Sequence, residues 1–140
     1  MGAPGRLLGL DVGRSRIGAA LSDPGGTLAS PLGTVETRGS GEGLDEICRW
    51  VAQHGVVHVV VGHPLLLDGR EGEEARRVRE WAGQLQERLS VPVELWDERL
   101  TTAMAERALL ESGMRRERRR RHRDAVAAAL ILQNYLDAHR

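Results

Sequence analysis

Residues 6–22 read RLLGLDVGRSRIGAALS, and this stretch decides the architecture because it contains two strands and the turn between them. Residues 6–12 are short and apolar apart from one aspartate, which is typical of a buried strand. Residues 16–22 form a second apolar segment, and only the tripeptide GRS separates the two. Such a short polar connection predicts a β-hairpin. The sheet is therefore expected to begin with an antiparallel pair.

The segments that follow change from strands to alternating helices and strands. A third, weaker strand is predicted over residues 27–37, and its Pro31 favours an edge position, where the missing N–H costs no ladder hydrogen bond. Beyond it, apolar residues recur at helical spacing between short apolar runs. The later predicted elements are strands at 56–62 and 92–96 and helices at 44–51, 75–89, 101–112 and 124–138.

This order of elements predicts an α/β fold with one mixed five-stranded sheet flanked by helices. Strands 1–3 follow one another through turns and form an antiparallel meander. Strands 4 and 5 are reached through helices and run parallel with right-handed crossovers. A length of 140 residues suits a single domain over residues 1–140.

The composition excludes several classes of protein. Hydrophobic residues make up 41% and charged residues 29% of the chain, as in ordinary globular proteins. No apolar run is long enough to span a bilayer and the first residues do not resemble a signal peptide, so no membrane partner is expected. The single cysteine, Cys48, excludes an intrachain disulfide and a cysteine-based zinc site. These features predict a cytoplasmic protein.

The net charge of zero hides one strongly cationic segment. All 20 basic residues are arginines, and residues 115–123 read RRERRRRHR, with a local charge of +6. Such a concentration of arginine predicts contact with the phosphates of a nucleic acid. Arg14 and Arg16, beside the hairpin turn, either reach phosphate as well or are solvated side chains. The predicted nucleic-acid-binding residues are Arg14, Arg16, Arg115, Arg116, Arg118, Arg119, Arg120, Arg121 and Arg123.

Acidic residues at three places predict a metal site. Asp11 lies in an otherwise apolar strand, where burying an unpaired carboxylate would cost several kcal/mol. Asp97 and Glu98 follow the fifth strand, and Asp124 opens the last predicted helix on the stripe that faces the sheet. The fold is expected to bring these positions together. Clustered carboxylates are best explained by a divalent cation, and oxygen ligands suit Mg²⁺ or Mn²⁺.

Such a site supports phosphodiester hydrolysis, because two ions about 3.5–4 Å apart can activate water and stabilise the leaving oxygen. Simpler roles remain open for single residues: Asp124 as a helix cap, and Asp97 and Glu98 as solvated loop residues. Two other functions also remain open. One is a catalytically silent nucleic-acid-binding adaptor. The other is an actin-like nucleotide-binding protein, whose phosphate loop resembles the DxGxxxxG pattern that begins at Asp11 but whose fold needs two such lobes.

Four segments, in this order and spacing, resemble the YqgF/RuvX family over essentially the whole chain. This family is described as candidate Holliday junction resolvases or pre-16S rRNA nucleases with an RNase H-like fold. The resemblance implies a metal-dependent nuclease that uses Asp11, Glu98 and Asp124 for catalysis and metal binding, with Asp97 as a further candidate ligand. The segments are GLDVGRSRIGAALSD (9–23), VVGHPLLLDG (60–69), DERLTT (97–102) and DAVAAALILQNYLD (124–137).

The loop after the fourth strand departs from the family pattern GLPxNxDG. His63 stands where the family has leucine, and Leu66 stands where it has asparagine. His63 either touches a scissile phosphate or fills a turn, and the substrate contact of the missing asparagine is left open. The expected partner is a pre-rRNA or a four-way DNA junction. A monomer suffices for RNA processing, whereas junction resolution requires a two-fold homodimer.

Overall fold

The structure, a computed structural model, describes residues 5–37, 42–99 and 116–139. The predicted helix at 101–112 lies outside these ranges. Within them, no helix combines the length and the apolar character needed to cross a membrane. The described elements are β1 (Arg6–Val12), β2 (Arg16–Ser22), β3 (Ala29–Glu36), α1 (Glu42–Gln53), β4 (Val56–His63), α2 (Glu73–Arg88), β5 (Val93–Asp97) and α3 (Arg116–Ala138).

The five strands form one mixed sheet in the order β3-β2-β1-β4-β5. Strands β1, β2 and β3 pair antiparallel, whereas β1, β4 and β5 are parallel. The predicted α/β fold is therefore confirmed. The edge position of β3 also agrees with its Pro31, which faces Ala20 of β2 beside a register irregularity.

Helices cover both faces of the sheet. On one face, alternate residues of the central strands, such as Leu10 and Val61, pack with α1 and α2 in the larger core cluster. On the other face, α3 places Ile131 and Leu132 against smaller residues such as Ala20. Successive strand residues point to opposite faces of the sheet. In the central strands, the neighbour of a residue that packs against α1 and α2 therefore points toward α3.

Glycines beneath α3 allow the helix to lie close to the sheet. A Cβ atom on Gly9 of β1 would lie 2.7 Å from Leu132 Cβ, and one on Gly18 of β2 would collide with the backbone oxygen of Asp124. Neither strand can carry a larger side chain there unless the helix moves. These contacts set the distance of α3 from β1 and β2.

The prediction that the last helix begins at Asp124 is wrong. Helix α3 begins at Arg116 and has 23 residues, so Asp124 lies in its third turn rather than at its first. Most of the arginine segment therefore continues the helix backbone, which agrees with the strong helix propensity of arginine. A role for Asp124 as a helix cap is excluded by this position.

Candidate active site

Asp11 is placed beneath α3 by the alternation of β1. Its neighbours Leu10 and Val12 point into the core cluster on the α1 and α2 side, so Asp11 points to the opposite face. It pairs in register with Gly18, the residue over which the backbone of Asp124 lies. Asp11 and Asp124 thus come from different elements to the same place on the sheet.

Glu98 reaches this face from the end of β5. Its backbone N–H donates a hydrogen bond to the carbonyl of His63 in the neighbouring strand β4, at 3.3 Å. Its carboxylate lies over Gly62, where any Cβ atom would collide with Glu98 Oε2 and lie 2.6 Å from Ile131 Cδ1. The absence of a side chain at Gly62 therefore makes the space that the Glu98 carboxylate uses.

Asp124 is partly exposed and pairs with an arginine of the hairpin. The Nε atom of Arg16 lies 3.1 Å from Asp124 Oδ2, and about half of the Arg16 side chain is exposed. Arg16 is thus a cation beside a candidate metal ligand. This position also leaves it accessible to a phosphate.

The carboxylate of Asp11 lies close enough to those of Asp124 and Glu98 to be repelled by both, in a site that is partly shielded from water. Burial first, and then the negative charge of Asp124, raise the pKa of Asp11 to about 6. Burial, followed by the charges of Asp11 and Asp97, raises the pKa of Glu98 to about 7. Asp11 is therefore electrostatically coupled to both Asp124 and Glu98, as expected for groups that share a cation site.

The chemistry of these donors fits a divalent cation. All three groups are carboxylates, and their mutual repulsion is what a bound Mg²⁺ or Mn²⁺ would relieve. Across residues 5–37, 42–99 and 116–139, no three His, Cys, Asp or Glu side chains are already arranged to enclose a metal ion. The carboxylates of Asp11, Glu98 and Asp124 would have to draw closer together to share an ion.

Asp97 is held away from this group by an arginine. Arg99 donates from Nε and Nη2 to the Asp97 carboxylate, with the closest contact at 2.6 Å. These hydrogen bonds are the main reason that the pKa of Asp97 is lowered. Its neighbour Trp96 packs on the α3 side, so alternation points Asp97 to the other face of β5.

The predicted phosphate-binding arginines have different surroundings. Arg14 is mostly exposed and pairs with Glu74 of α2 at 2.8 Å, whereas Arg16 pairs with Asp124. Arg123 is exposed on α3. Arg115 lies outside the described residues, as do the side chains of Arg116, Arg118, Arg119, Arg120 and Arg121.

The sequence did not single out Glu71, Arg79 and Arg99, which support the loop after β4 together with His63. His63 Nε2 lies 3.2 Å from Glu71 Oε2, and Arg79 holds the same carboxylate through three hydrogen bonds. Arg99 supports the other side of the loop through an Nη1 hydrogen bond to the carbonyl of Leu67 at 3.3 Å. No periodicity connects these residues, because each pair links different elements.

The raised pKa values predict how stability depends on pH without divalent metal. The folded protein binds protons at Asp11 and Glu98 more tightly than the unfolded chain does, so this contribution is present in acid and lost as the pH rises through 6 and 7. Because Glu98 is partly solvated, we expect these two groups to lower the free energy of unfolding by about 2 kcal/mol between pH 5 and pH 8. Denaturant titration in a chelating buffer measures this change.

The matched control is the double variant Asp11→Asn with Glu98→Gln, in which neither group titrates. Its stability should fall less than that of the wild type over the same pH range, and Mg²⁺ at pH 8 should stabilise only the wild type. An identical pH dependence in both proteins would show that the two carboxyls do not repel each other as described.

Solved structures with this architecture show the fold class. The fowlpox virus Holliday junction resolvase, solved with substrate junction DNA, superposes with a TM-score of 0.61 at 7% identity, covering 96% of this chain and 98% of that one. The Thermus thermophilus RuvC complex with a Holliday junction gives a TM-score of 0.58 at 19% identity, covering 96% and 95%. The fold is therefore the RNase H-like fold of the resolvases.

Sequence comparison then identifies the family. A family model described as RuvX, Holliday junction resolvase, matches residues 5–138, and the chain belongs to this family. A Myxococcus xanthus protein named as a candidate pre-16S rRNA nuclease is 47% identical over 135 residues, which cover 96% of this chain and 89% of that protein. A Pelotomaculum thermopropionicum protein with the same name is 46% identical over 134 residues, covering 95% and 87%.

Proposed function

We propose that this chain is a divalent-metal-dependent nuclease that hydrolyses phosphodiester bonds in structured nucleic acid. Its proposed catalytic and metal-binding residues are Asp11, Glu98 and Asp124. The observation that supports this most is the convergence of their carboxylates from β1, the end of β5 and α3, with Asp11 coupled to both others. Asp97 is left out of the ligand set because Arg99 already occupies its carboxylate.

The site residues have two proposed roles in hydrolysis: the carboxylates hold the metal ion, and Arg16 orients the phosphate. Bound Mg²⁺ or Mn²⁺, as one or two ions, would supply an activated water and stabilise the leaving oxygen. Asp11 and Glu98 would hold the cation once they are ionised, which their pKa values allow at neutral pH and above. Arg16 neutralises Asp124 in the absence of substrate and can donate to a phosphate when one arrives.

The proposed first substrate is the 5′ end of pre-16S rRNA. This choice follows the names of relatives that are 46–47% identical over nearly the whole chain. The resolvases of similar fold are less than 20% identical and support the fold alone. A four-way DNA junction is the second substrate, because the family model carries the description of a Holliday junction resolvase.

A cleavage assay with both substrates tests the proposal. Full-length protein with Mg²⁺ or Mn²⁺ is given a labelled RNA with a 16S 5′ leader and, separately, a labelled four-way junction. Trimming of the RNA supports a processing nuclease, whereas paired symmetric nicks in the junction support a resolvase that acts as a dimer. Binding of either substrate without cleavage under both metals would contradict the proposal and favour a nucleic-acid-binding adaptor.

The arginine segment gives a separate prediction about binding. Changing Arg118, Arg119, Arg120 and Arg121 to glutamine should weaken binding and reduce the slope of log K against log salt by about 0.9 for each lost phosphate contact on duplex DNA. Fluorescence anisotropy over a series of salt concentrations measures the slope. Arg49→Gln with Arg76→Gln, on α1 and α2, is the control for loss of positive charge elsewhere. Equal slopes for wild type and the fourfold variant would show that the segment does not contact phosphate.

A further inference from the structure

We propose that the loop between β4 and α2, residues 64–72, is a wedge that inserts Leu67 into the base stack of the nucleic acid beside the active site. We call it the wedge loop. The inference rests on the proposed function, because it concerns how the same site engages its substrate. It assigns a role to Leu67, the neighbour of Leu66, which departs from the family pattern.

Two apolar side chains at the turn of the wedge loop are exposed, although the side chain of Leu66 also packs against Gly72. Leu67 is 93% exposed and the adjacent Leu66 is 45% exposed. Among the described residues only two other large hydrophobic side chains are exposed, Leu28 and Val57, and they lie apart in the sequence. Adjacent exposed apolar side chains can form a contact surface for another molecule, whereas single scattered ones need no explanation.

The backbone of the wedge loop is internally hydrogen-bonded. The N–H of Leu66 donates to the carbonyl of Arg70 at 2.9 Å, and the N–H of Gly69 donates to the carbonyl of Leu66 at 2.8 Å. Gly69 has a φ of 87°, a conformation that favours glycine at this turn. Leu67 therefore sits at the tip of a closed turn rather than on an open chain. Because the turn is already ordered by hydrogen bonds, it loses little conformational entropy when Leu67 inserts into another molecule.

Side chains from both sides fix the wedge loop to the rest of the molecule. Arg99, itself held by Asp97, donates to the carbonyl of Leu67. At the beginning of the loop, His63 contacts Glu71, which the guanidinium of Arg79 holds. Asp97 is thus a positioning residue for the wedge loop, which explains an acidic residue here that does not join the carboxylates.

The wedge loop starts at the edge of the sheet where the active-site carboxylates lie. Gly62 lies directly under the carboxylate of Glu98, and the backbone of Glu98 is hydrogen-bonded to His63 just before the loop. A strand with its phosphate at the carboxylates would therefore lie beside the start of the wedge loop, and the proposal requires its bases to extend from there to the turn that carries Leu67. Proteins use leucine and similar apolar side chains to separate stacked bases in this way.

The experiment measures base unstacking rather than cleavage. Full-length protein carrying Asp11→Asn is bound to a four-way DNA junction with 2-aminopurine at the crossover, and to a 16S leader RNA with 2-aminopurine at its helix end. Binding should raise the fluorescence of the reporter, and Leu67→Ser should remove that rise and weaken binding about tenfold. The matched control is Leu28→Ser, an exposed leucine (65%) at the opposite edge of the sheet, which should leave both signals unchanged.

Each outcome decides for or against the wedge. Loss of the fluorescence rise in Leu67→Ser alone supports it, even if the wild-type protein were to cleave neither substrate. An equal fluorescence rise in the wild type and in Leu67→Ser overturns it, and leaves the proposed nuclease function standing if wild type cleaves. A dimer that dissociates in Leu67→Ser, seen by sedimentation, overturns it in favour of a contact between two copies of this chain.

Discussion

Asp11→Asn should abolish cleavage while nucleic-acid binding persists. The substitution keeps the size of the side chain but removes the charge that is coupled to both Asp124 and Glu98. A site that holds a divalent cation contributes several kcal/mol of charge stabilisation, so the rate should fall about 10³-fold or more. Binding should change by less than about threefold, because the proposed phosphate contacts are made by arginines and not by this carboxylate.

Single-turnover cleavage and anisotropy on the same RNA and junction substrates separate the two effects. The matched control is Asp97→Asn, another aspartate-to-asparagine change close to the site. Since Arg99 holds Asp97, this variant should retain cleavage, although it loses the support of the wedge loop and one of the charges that raise the pKa of Glu98. If Asp11→Asn cleaved at the wild-type rate, or if Asp97→Asn lost as much activity as Asp11→Asn, the assignment of the ligands would be wrong.

The fold was predictable from the sequence where strands were short and bounded by turns. The predicted limits of β1 and β2 agree with the structure, because a three-residue connection leaves little choice of register. The start of α3 was not predictable from apolar spacing. Residues 116–123 contain no apolar residue, so apolar spacing gives no signal for this part of the helix.

The candidate site was predictable in its chemistry but not in its geometry. A carboxylate within an apolar strand indicated Asp11 through the cost of burial alone. The family resemblance indicated Glu98 ahead of Asp97, but strand periodicity could not, because Leu95 and Trp96 are both apolar and alternation in a strand covered on both faces does not assign a side. Packing of Trp96 under α3 and the pairing of Asp97 with Arg99 both favour Glu98 as the ligand in the structure.

The close approach of α3 to β2 predicts that Gly18→Ala is damaging. A Cβ atom at this position would collide with the backbone oxygen and carbon of Asp124 and lie 2.8 Å from its Cβ. Backbone atoms in the third turn of a packed helix cannot move aside separately, so the helix must shift. We expect a loss of about 3 kcal/mol in the free energy of unfolding and a fall in Tm of about 10 °C.

The same shift should reduce activity even in the molecules that remain folded. Asp124 would move relative to Asp11, and a displacement of about 1 Å can cost about 10²-fold in rate. Calorimetry and single-turnover cleavage at a temperature where the variant is folded measure the two effects separately.

Gly33→Ala is the matched control, because this glycine lies on the neighbouring strand β3 and its Cβ would meet only Trp50 Cη2, at an ordinary 3.8 Å. It is expected to be nearly neutral in both measurements. Equal stability and activity of Gly18→Ala and Gly33→Ala would show that α3 does not rest on β2 at Asp124. The placement of the Asp124 carboxylate beside Asp11 would then also be wrong.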